Sequence, residues 1–328
     1  MDVRTLVAPI GNLPIIMVEE LGKYTIVSEW PEGGYKKQYE TSLYNLELHR
    51  KLQHNEGWLS FYLTDKKKKL VEAEFHICLE EYRGKSPFRS PYGGMEFSDQ
   101  LSEEDLHAFG RHIMEQLKEN QLTIIPAPEA YDAQHFSREL YLWNTLGMNL
   151  ETSHLHAVMI VNDTPFEKIL ADKEFLRKYK KCVKEDFPFV VESVEQLEEV
   201  YHFIEKQYKD KGYALSLMWD EIKNLSEMFP DRMKIFTVRK ADKIIAASIC
   251  IQPRQHILYD FYHAHDPQYN ALSPVIYLIG KIYALAKDRG YHLLDLGSSQ
   301  VDDGPDYPLL NFKQKLGARL SVKGILNK

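Results

Sequence analysis

Cysteine is scarce in this chain: three residues in 328, at positions 78, 182 and 250. So far apart, they make neither a disulfide framework nor a zinc-ligand pattern, which points to a reducing compartment. A basic excess is also lacking. Lysine and arginine total 41 against 48 aspartates and glutamates, a net charge of −7. That balance argues against a dedicated duplex-DNA binder and leaves room only for a local basic patch on a phosphate. No apolar run reaches the ~20 residues of a membrane span. The apolar segment Leu6 to Val18 is interrupted by Gly11, Asn12 and Pro14 and lacks the frame of a signal peptide, so it reads as an N-terminal strand or loop. Low-complexity tracts are missing too. What remains is 44% hydrophobic and 27% charged, enough for a buried core, and a length that suggests about two domains at ~150 residues each. The expectation is a cytoplasmic mixed protein.

The chain repeats itself. Residues 58–64, a lysine-rich turn at 66–69 and residues 70–78 read as strand, turn and strand. Residues 233–239, a charged turn at 240–243 and residues 244–250 read the same way. Phe61 and Phe236 are 175 positions apart, and the strands beginning at Leu122 and Leu293, each preceded by a helical stretch, are 171 apart. A near-constant offset over three elements predicts a duplicated unit. The second half is expected to hold strands near 234–239, 244–252, 256–264 and 292–297, in a sheet buried on both faces. The predicted fold class is α/β: two tandem units, 1–161 and 162–328, each a mixed sheet flanked by helices.

The junction follows a strand at 158–161. Asp163 or Thr164 caps a helix that starts with Pro165 and runs to about Lys184. Lys173, Arg177, Lys181 and Lys184 are spaced as one basic stripe on it. The stripe reads as a solvated face or as a nucleic-acid contact, and both readings stay open.

The two halves differ at one helix start. In the second half, Ser273 is placed to cap a helix beginning at Pro274, whose apolar stripe is Val275, Leu278, Ile279, Ile282, Leu285 and Ala286. No acidic residue follows in its first turn, so its N–H groups are free to receive an anion. In the first half the matching helix begins Ser102-Glu103-Glu104-Asp105, a self-satisfied capping box with three carboxylates at the positive end. An anionic donor therefore belongs to the second half.

The loop and helix 268–289, the strand end 293–299 and the segment 310–318 carry a resemblance at this point. The second half resembles a GCN5-related N-acetyltransferase (GNAT), and the two-copy arrangement is similar to the Fem-type (FemABX-like) aminoacyl and acyl transferases. Residues 86–97 also resemble the Fem-type pattern. The resemblance covers most of residues 58–324 and implies an acyl-CoA or an aminoacyl-tRNA as donor. The family's acyl-CoA loop runs Gln or Arg, two residues, Gly, one residue, then Gly or Ala. Gln268 matches it, Ala271 stands at the glycine position and Ser273 at the last, so the implied donor contacts are Gln268, Asn270, Ala271, Leu272 and Ser273.

The strand before that loop ends Tyr259-Asp260-Phe261-Tyr262-His263-Ala264-His265. Alternation places Asp260 and Tyr262 on one face and Tyr259, Phe261, His263 and His265 on the other. An amine that attacks an ester or thioester needs a base and a donor for the leaving group; Asp260, Tyr262 and His263 are the candidates, each also readable as core. Lys313 resembles the Fem-type Phe-Lys pair associated with the reaction centre and suits a phosphate or a developing oxyanion; by itself it reads equally as a surface lysine. Ser298 and Ser299 follow a strand at its carboxyl end, where open α/β sheets bind ligands, and read equally as a turn closure. In the first half, Gly93 and Gly94, flanked by Tyr92 and Glu96, read either as an ordinary loop joining strand to helix or as a place for close approach of an acceptor. The pairs His154/His156 and His263/His265 lack a third convergent ligand, so no metal is expected.

The leading function is transfer of an acyl group from acyl-CoA to an amine acceptor, a small molecule or peptide. The alternatives are an aminoacyl-tRNA-dependent transferase, with tRNA on the Lys173 to Lys184 stripe, and a non-catalytic binding module.

Overall fold

The computed structural model describes residues 18–301 and 304–328, so the strand or loop expected over 6–18 lies, apart from Val18, outside the described residues. The contacts divide the chain into two compact units, the first running to Ser153 with Val322–Lys328 added, the second spanning His154–Ser321. The sequence places the junction at residue 162; by contacts it falls inside a strand, and the C-terminal strand goes back to the first unit.

The first unit holds β1 (Glu19–Leu21), β2 (Tyr24–Val27), β3 (Lys36–Lys37), α1 (Glu47–Lys51), β4 (Trp58–Asp65), β5 (Leu70–Glu80), β6 (Arg83–Ser86), β7 (Met95–Phe97), α2 (Glu103–Gln116), β8 (Gln121–Ile124) and α3 (Ala133–Thr145). Then come β9 (Asn149–Ile160), α4 (Phe166–Ile169), α5 (Lys173–Glu185), β10 (Phe189–Glu192), α6 (Leu197–Lys209), α7 (Trp219–Met228), β11 (Met233–Lys240), β12 (Lys243–Arg254), β13 (Ile257–His265), α8 (Pro274–Asp288), β14 (Leu293–Ser298), the short pair β15 (Gln300–Val301) and β16 (Gly304–Pro305), α9 (Tyr307–Lys315) and β17 (Arg319–Asn327).

The duplication is visible in strand order and direction. In the first unit, β4, β5 and β6 run antiparallel in turn, β6 pairs β8 in parallel, and β17 closes antiparallel on β8 through Leu326↔Ile124. In the second, β11, β12 and β13 are antiparallel, β13 pairs β14 in parallel, and β9 closes antiparallel on β14 through Leu293↔Ile160. The parallel pairs need a crossover helix; α2 supplies it in one unit and α8 in the other.

Each unit has its own core. Phe61, Phe75, Phe109 and Trp143 lie in the first, and Phe236, Leu258, Ile279 and Leu294 in the second. Helix α8 is buried beyond its expected stripe: Ile276, Tyr277 and Tyr283 are covered as well. The reason is that α4 and α5 pack on its outer side. A Cβ at Gly280 would meet the Tyr179 ring at 2.6 Å and the Phe166 ring at 2.7 Å, so only glycine permits that approach. The single helix expected from Pro165 to Lys184 is two, α4 and α5. Asp172 sits in the break, and its Oδ1 accepts from the N–H groups of Glu174 (2.8 Å) and Phe175 (3.0 Å), starting α5 afresh.

The helix starts differ as expected in charge but not in capping. Ser102 Oγ accepts from Asp105 N–H at 3.2 Å and donates to its carboxylate at 2.7 Å, with Glu103 and Glu104 beside it. Helix α8 has no acidic residue in its first turn, yet Ser273 does not cap it. Ser273 has φ 49° and ψ 63°, the left-handed region, and its hydroxyl donates to the Asn270 carbonyl at 3.2 Å. No helix among the described residues is long and apolar enough to cross a membrane.

Candidate active site

The site is built on β13 and its neighbours in the second unit. Simple alternation on β13 fails at Phe261: Ile249 faces Tyr262, the next residue Cys250 faces Asp260, and Phe261 is the extra residue of a β-bulge. A bulge resets the faces on either side of it. Asp260 and His263 therefore share a face, and His263 Nδ1–H donates to Asp260 Oδ2 at 2.6 Å. The other carboxylate oxygen accepts from Ser248 Oγ at 2.6 Å, with Cys250 Sγ 3.9 Å away. Asp260 is enclosed, while the His263 side chain keeps 22% of its exposure. The carboxylate orients the imidazole from below.

Tyr262, expected beside Asp260, is turned away. Its hydroxyl accepts from the Leu217 N–H at 2.8 Å and shares a 2.6 Å bond with Ser216 Oγ, so it ties down the loop before α7. Tyr208 on α6 packs edge-on against the Tyr262 ring, at 6.1 Å between centroids. Burial pushes the Tyr208 phenol up, and the charge of Asp260 adds to that.

Lys313 enters from α9. It is 3% exposed, and its ammonium donates to the carbonyls of Gly297 (3.1 Å) and Ser298 (2.7 Å) at the end of β14. Burial lowers its pKa to about 8, against the pull of Asp295, Asp260 and Asp306, in that order. A lysine that titrates near neutrality responds to a small change in its surroundings. Ser298 thus meets Lys313 through its backbone. Ser299 is buried, and its hydroxyl has no hydrogen-bond partner among the described residues.

The loop 268–273 folds on itself. The N–H groups of Asn270 and Leu272 donate to Pro267 O (3.1 Å) and Tyr269 O (2.8 Å), and that of Ser273 is shared between Tyr269 O and Asn270 O. Gln268 N–H donates to Asp266 Oδ1 at 2.9 Å, and Asn270 Oδ1 bonds His265 Nε2 at 2.7 Å. Ala271 is exposed and Leu272 half-buried. An anion at this loop would compete with bonds already made. Helix α5 lies against it, with Cys182 Sγ donating to Leu272 O at 3.3 Å, and Lys173, Arg177, Lys181 and Lys184 of α5 are all exposed.

In the first unit, Tyr92, Gly93, Gly94 and Glu96 are buried and bonded within that unit rather than lining a surface. Ser42 Oγ donates to the Tyr92 hydroxyl at 2.9 Å, and Glu96 Oε1 accepts from Ser42 N–H (3.1 Å) and Asn45 Nδ2 (3.0 Å). A Cβ at Gly93 would strike Ser86 Oγ at 2.7 Å and one at Gly94 would strike Glu139 Oε1 at 2.5 Å. The glycine pair answers to packing. Of the paired histidines, His156 donates from Nε2 to Asp295, at 2.7 Å to one carboxylate oxygen and 2.8 Å to the other.

Sequence reasoning missed Ser248, Asp295 and the partnership of His156. Asp295 carried a signal, a lone carboxylate inside the apolar run Leu293 to Leu296, because a buried charge needs a reason.

Residues 172–308 match the family model described as an acetyltransferase (GNAT) domain. The crystal structure of FemX aligns with 88% of this chain and 93% of its own, with a TM-score of 0.66 and 13% identity. This chain has a Fem-like GNAT fold. L-PGS from Bacillus licheniformis shares that fold over 88% of this chain and 93% of its own, with a TM-score of 0.56 and 12% identity. So does the C-terminal domain (DUF2156) of an Agrobacterium fabrum protein named as a lysylphosphatidylglycerol synthetase, over 78% and 80%, with a TM-score of 0.54 and 11% identity. No curated protein matches the chain. In this Fem-like fold the Asp260–His263 pair, Lys313 and the 268–273 loop all fall in the second unit.

Proposed function

We propose that the chain is an acyl- or aminoacyltransferase acting on an amine. The observation that carries this reading is the hydrogen-bonded Asp260–His263 pair in the same electrostatic neighbourhood as the buried Lys313 ammonium. His263 is the general base: Asp260 takes its Nδ1–H, which leaves Nε2 to remove a proton from the attacking amine. The amine nitrogen bonds to the acyl carbon, the bond to the leaving oxygen or sulfur breaks, and the imidazolium returns its proton to the leaving group. Lys313 supplies positive charge where the oxyanion develops.

Two donors suit this chemistry, each on its own observation. The GNAT match over 172–308 and the acid-free start of α8 favour an acyl-CoA. The self-bonded amides of Asn270, Leu272 and Ser273, with the exposed basic residues of α5 beside them, favour an aminoacyl-tRNA, whose phosphates would meet side chains rather than the loop backbone. The folds of FemX and of a protein named for making lysylphosphatidylglycerol agree with an aminoacyl donor. We take the aminoacyl-tRNA as the better fit. Calorimetry with acetyl-CoA, beside filter binding of charged tRNA over a salt series, separates the two. The aminoacyl reading expects tRNA binding that weakens steeply with salt and no measurable acetyl-CoA binding; tight acetyl-CoA binding would reverse it.

A further inference from the structure

Lys313 and Asp295 both hold the same short turn by its backbone. Asp295 Oδ1 accepts the N–H of Gly297 at 2.7 Å, while Lys313 donates to the carbonyls of Gly297 and Ser298. Gly297 has φ +76°, and a Cβ there would lie 3.3 Å from the Tyr259 ring, so the turn is shaped to pass close beneath that ring. Asp295 is 1% exposed, and such a carboxylate must be compensated by partners. Its partners include the Gly297 N–H and His156 Nε2. The His156 ring needs only its Nε2–H for this bond, and its Nδ1 is buried with no partner among the described residues.

We propose that Asp295, gripped by His156, is a positioning residue for Lys313: it keeps the lysine an ammonium ion and fixes the turn on which that ammonium is aimed. The role given to Lys313 rests on the transferase reading; the Asp295–Lys313 linkage does not. Three carboxylates act against burial on the ammonium: Asp295 on β14, Asp260 on β13 and Asp306 at the start of α9, with Asp295 the strongest of the three. The arrangement sets two histidine–carboxylate pairs, their carboxylates on β13 and β14, to distinct duties. In one, Asp260 serves a partly exposed imidazole. In the other, His156 serves a buried carboxylate.

The test is competitive labelling of the full-length protein with acetic anhydride across pH 6 to 10.5, read at Lys313 by peptide mass spectrometry, so that it does not depend on activity. In the wild type, labelling should rise with a midpoint at about 8. Removing its strongest counter-charge in Asp295→Asn should move that midpoint down by about one pH unit or more. His156→Leu should also lower it, and His156→Gln, which keeps an N–H donor, should restore it. If Asp295→Asn does not fold, the two His156 variants decide. An unchanged midpoint in folded Asp295→Asn, or in His156→Leu, overturns the proposal. Should the midpoint shift while every variant and the wild type lack transferase activity, the electrostatic linkage stands and the transferase reading falls.

Discussion

Asp260 and His263 lie three residues apart on one strand, yet His263 Nδ1 and Asp260 Oδ2 are 2.6 Å apart. In a regular strand such residues point to opposite faces. The bulge at Phe261, opposite Ile249 and Cys250, brings them together. A strand irregularity has thereby hydrogen-bonded a carboxylate to an imidazole that the flat pattern separates.

That pair predicts a difference between two variants. His263→Gln removes the proposed base and should lower kcat by about a hundredfold or more, since general base catalysis contributes ~10²–10⁴-fold. Asp260→Asn keeps the volume but weakens the hold on the imidazole, and should lower kcat with little change in KM for the donor. Steady-state kinetics of both, with circular dichroism as a folding control, checks the order. Equal and full activity in the two would remove the pair from the reaction.

Lys313 predicts an alkaline limit. Its ammonium is the form with the required charge, and its pKa is lowered by burial to about 8. Activity should therefore fall as pH rises through about 8, well below the ordinary lysine range. Lys313→Met keeps most of the volume and should cost more than tenfold in turnover, or about 1.4 kcal/mol of transition-state stabilisation. A kcat–pH profile of the wild type, flat to pH 10, would contradict this assignment.

The first unit predicts acid sensitivity. His49 and His76 are both buried, and burial holds each at about 4, with the Arg50 charge adding to the effect. The unfolded chain, with ordinary imidazoles near 6.5, binds more protons between those values, so stability should fall as pH drops from about 6.5 to about 4. The loss should be on the order of 3 kcal/mol for each histidine. Urea titrations at several pH values measure it, and His76→Gln should flatten part of the slope. A wild-type stability that is level from pH 7 to 4 would show that these rings carry no such penalty.

The basic face of α5 predicts donor selectivity. Reversing Lys173, Arg177, Lys181 and Lys184 to glutamate should weaken charged-tRNA binding more than tenfold and lower the slope of log K against log salt. Acetyl-CoA, if bound at all, should be affected far less. An unchanged tRNA affinity would return this face to ordinary solvated surface.

Much of the fold was legible because periodicity and turn chemistry are local. The hairpins, α2, α8 and the strands after them stand within a few residues of their expected places, and the two-copy order follows from a near-constant offset. The exchange of closing strands, β9 to the second unit and β17 to the first, has no local signature, since nothing near residue 150 or 320 encodes which sheet edge is open. The site was half legible. Lys313, Asp260 and His263 were named from type and place, but their faces depended on a bulge that alternation does not reveal. Tyr262 and the Tyr92 to Glu96 loop are hydrogen-bonded within their own units, and a buried, bonded polar residue has the same letters as a site residue. Ser248 and His156 act through partners 12 and 139 positions away, a distance only the folded sheet closes.

His263 is the proposed base for acyl transfer from a donor bound in the second unit. The most direct test of this role is a single-turnover assay, with wild type and His263→Gln each in excess over labelled aminoacyl-tRNA or acetyl-CoA and offered a panel of primary amines. The account predicts that the wild type forms a labelled amide from the donor it binds, and that His263→Gln binds that donor equally well but forms the amide at least a hundredfold more slowly. Amide formation at the wild-type rate in His263→Gln would contradict it.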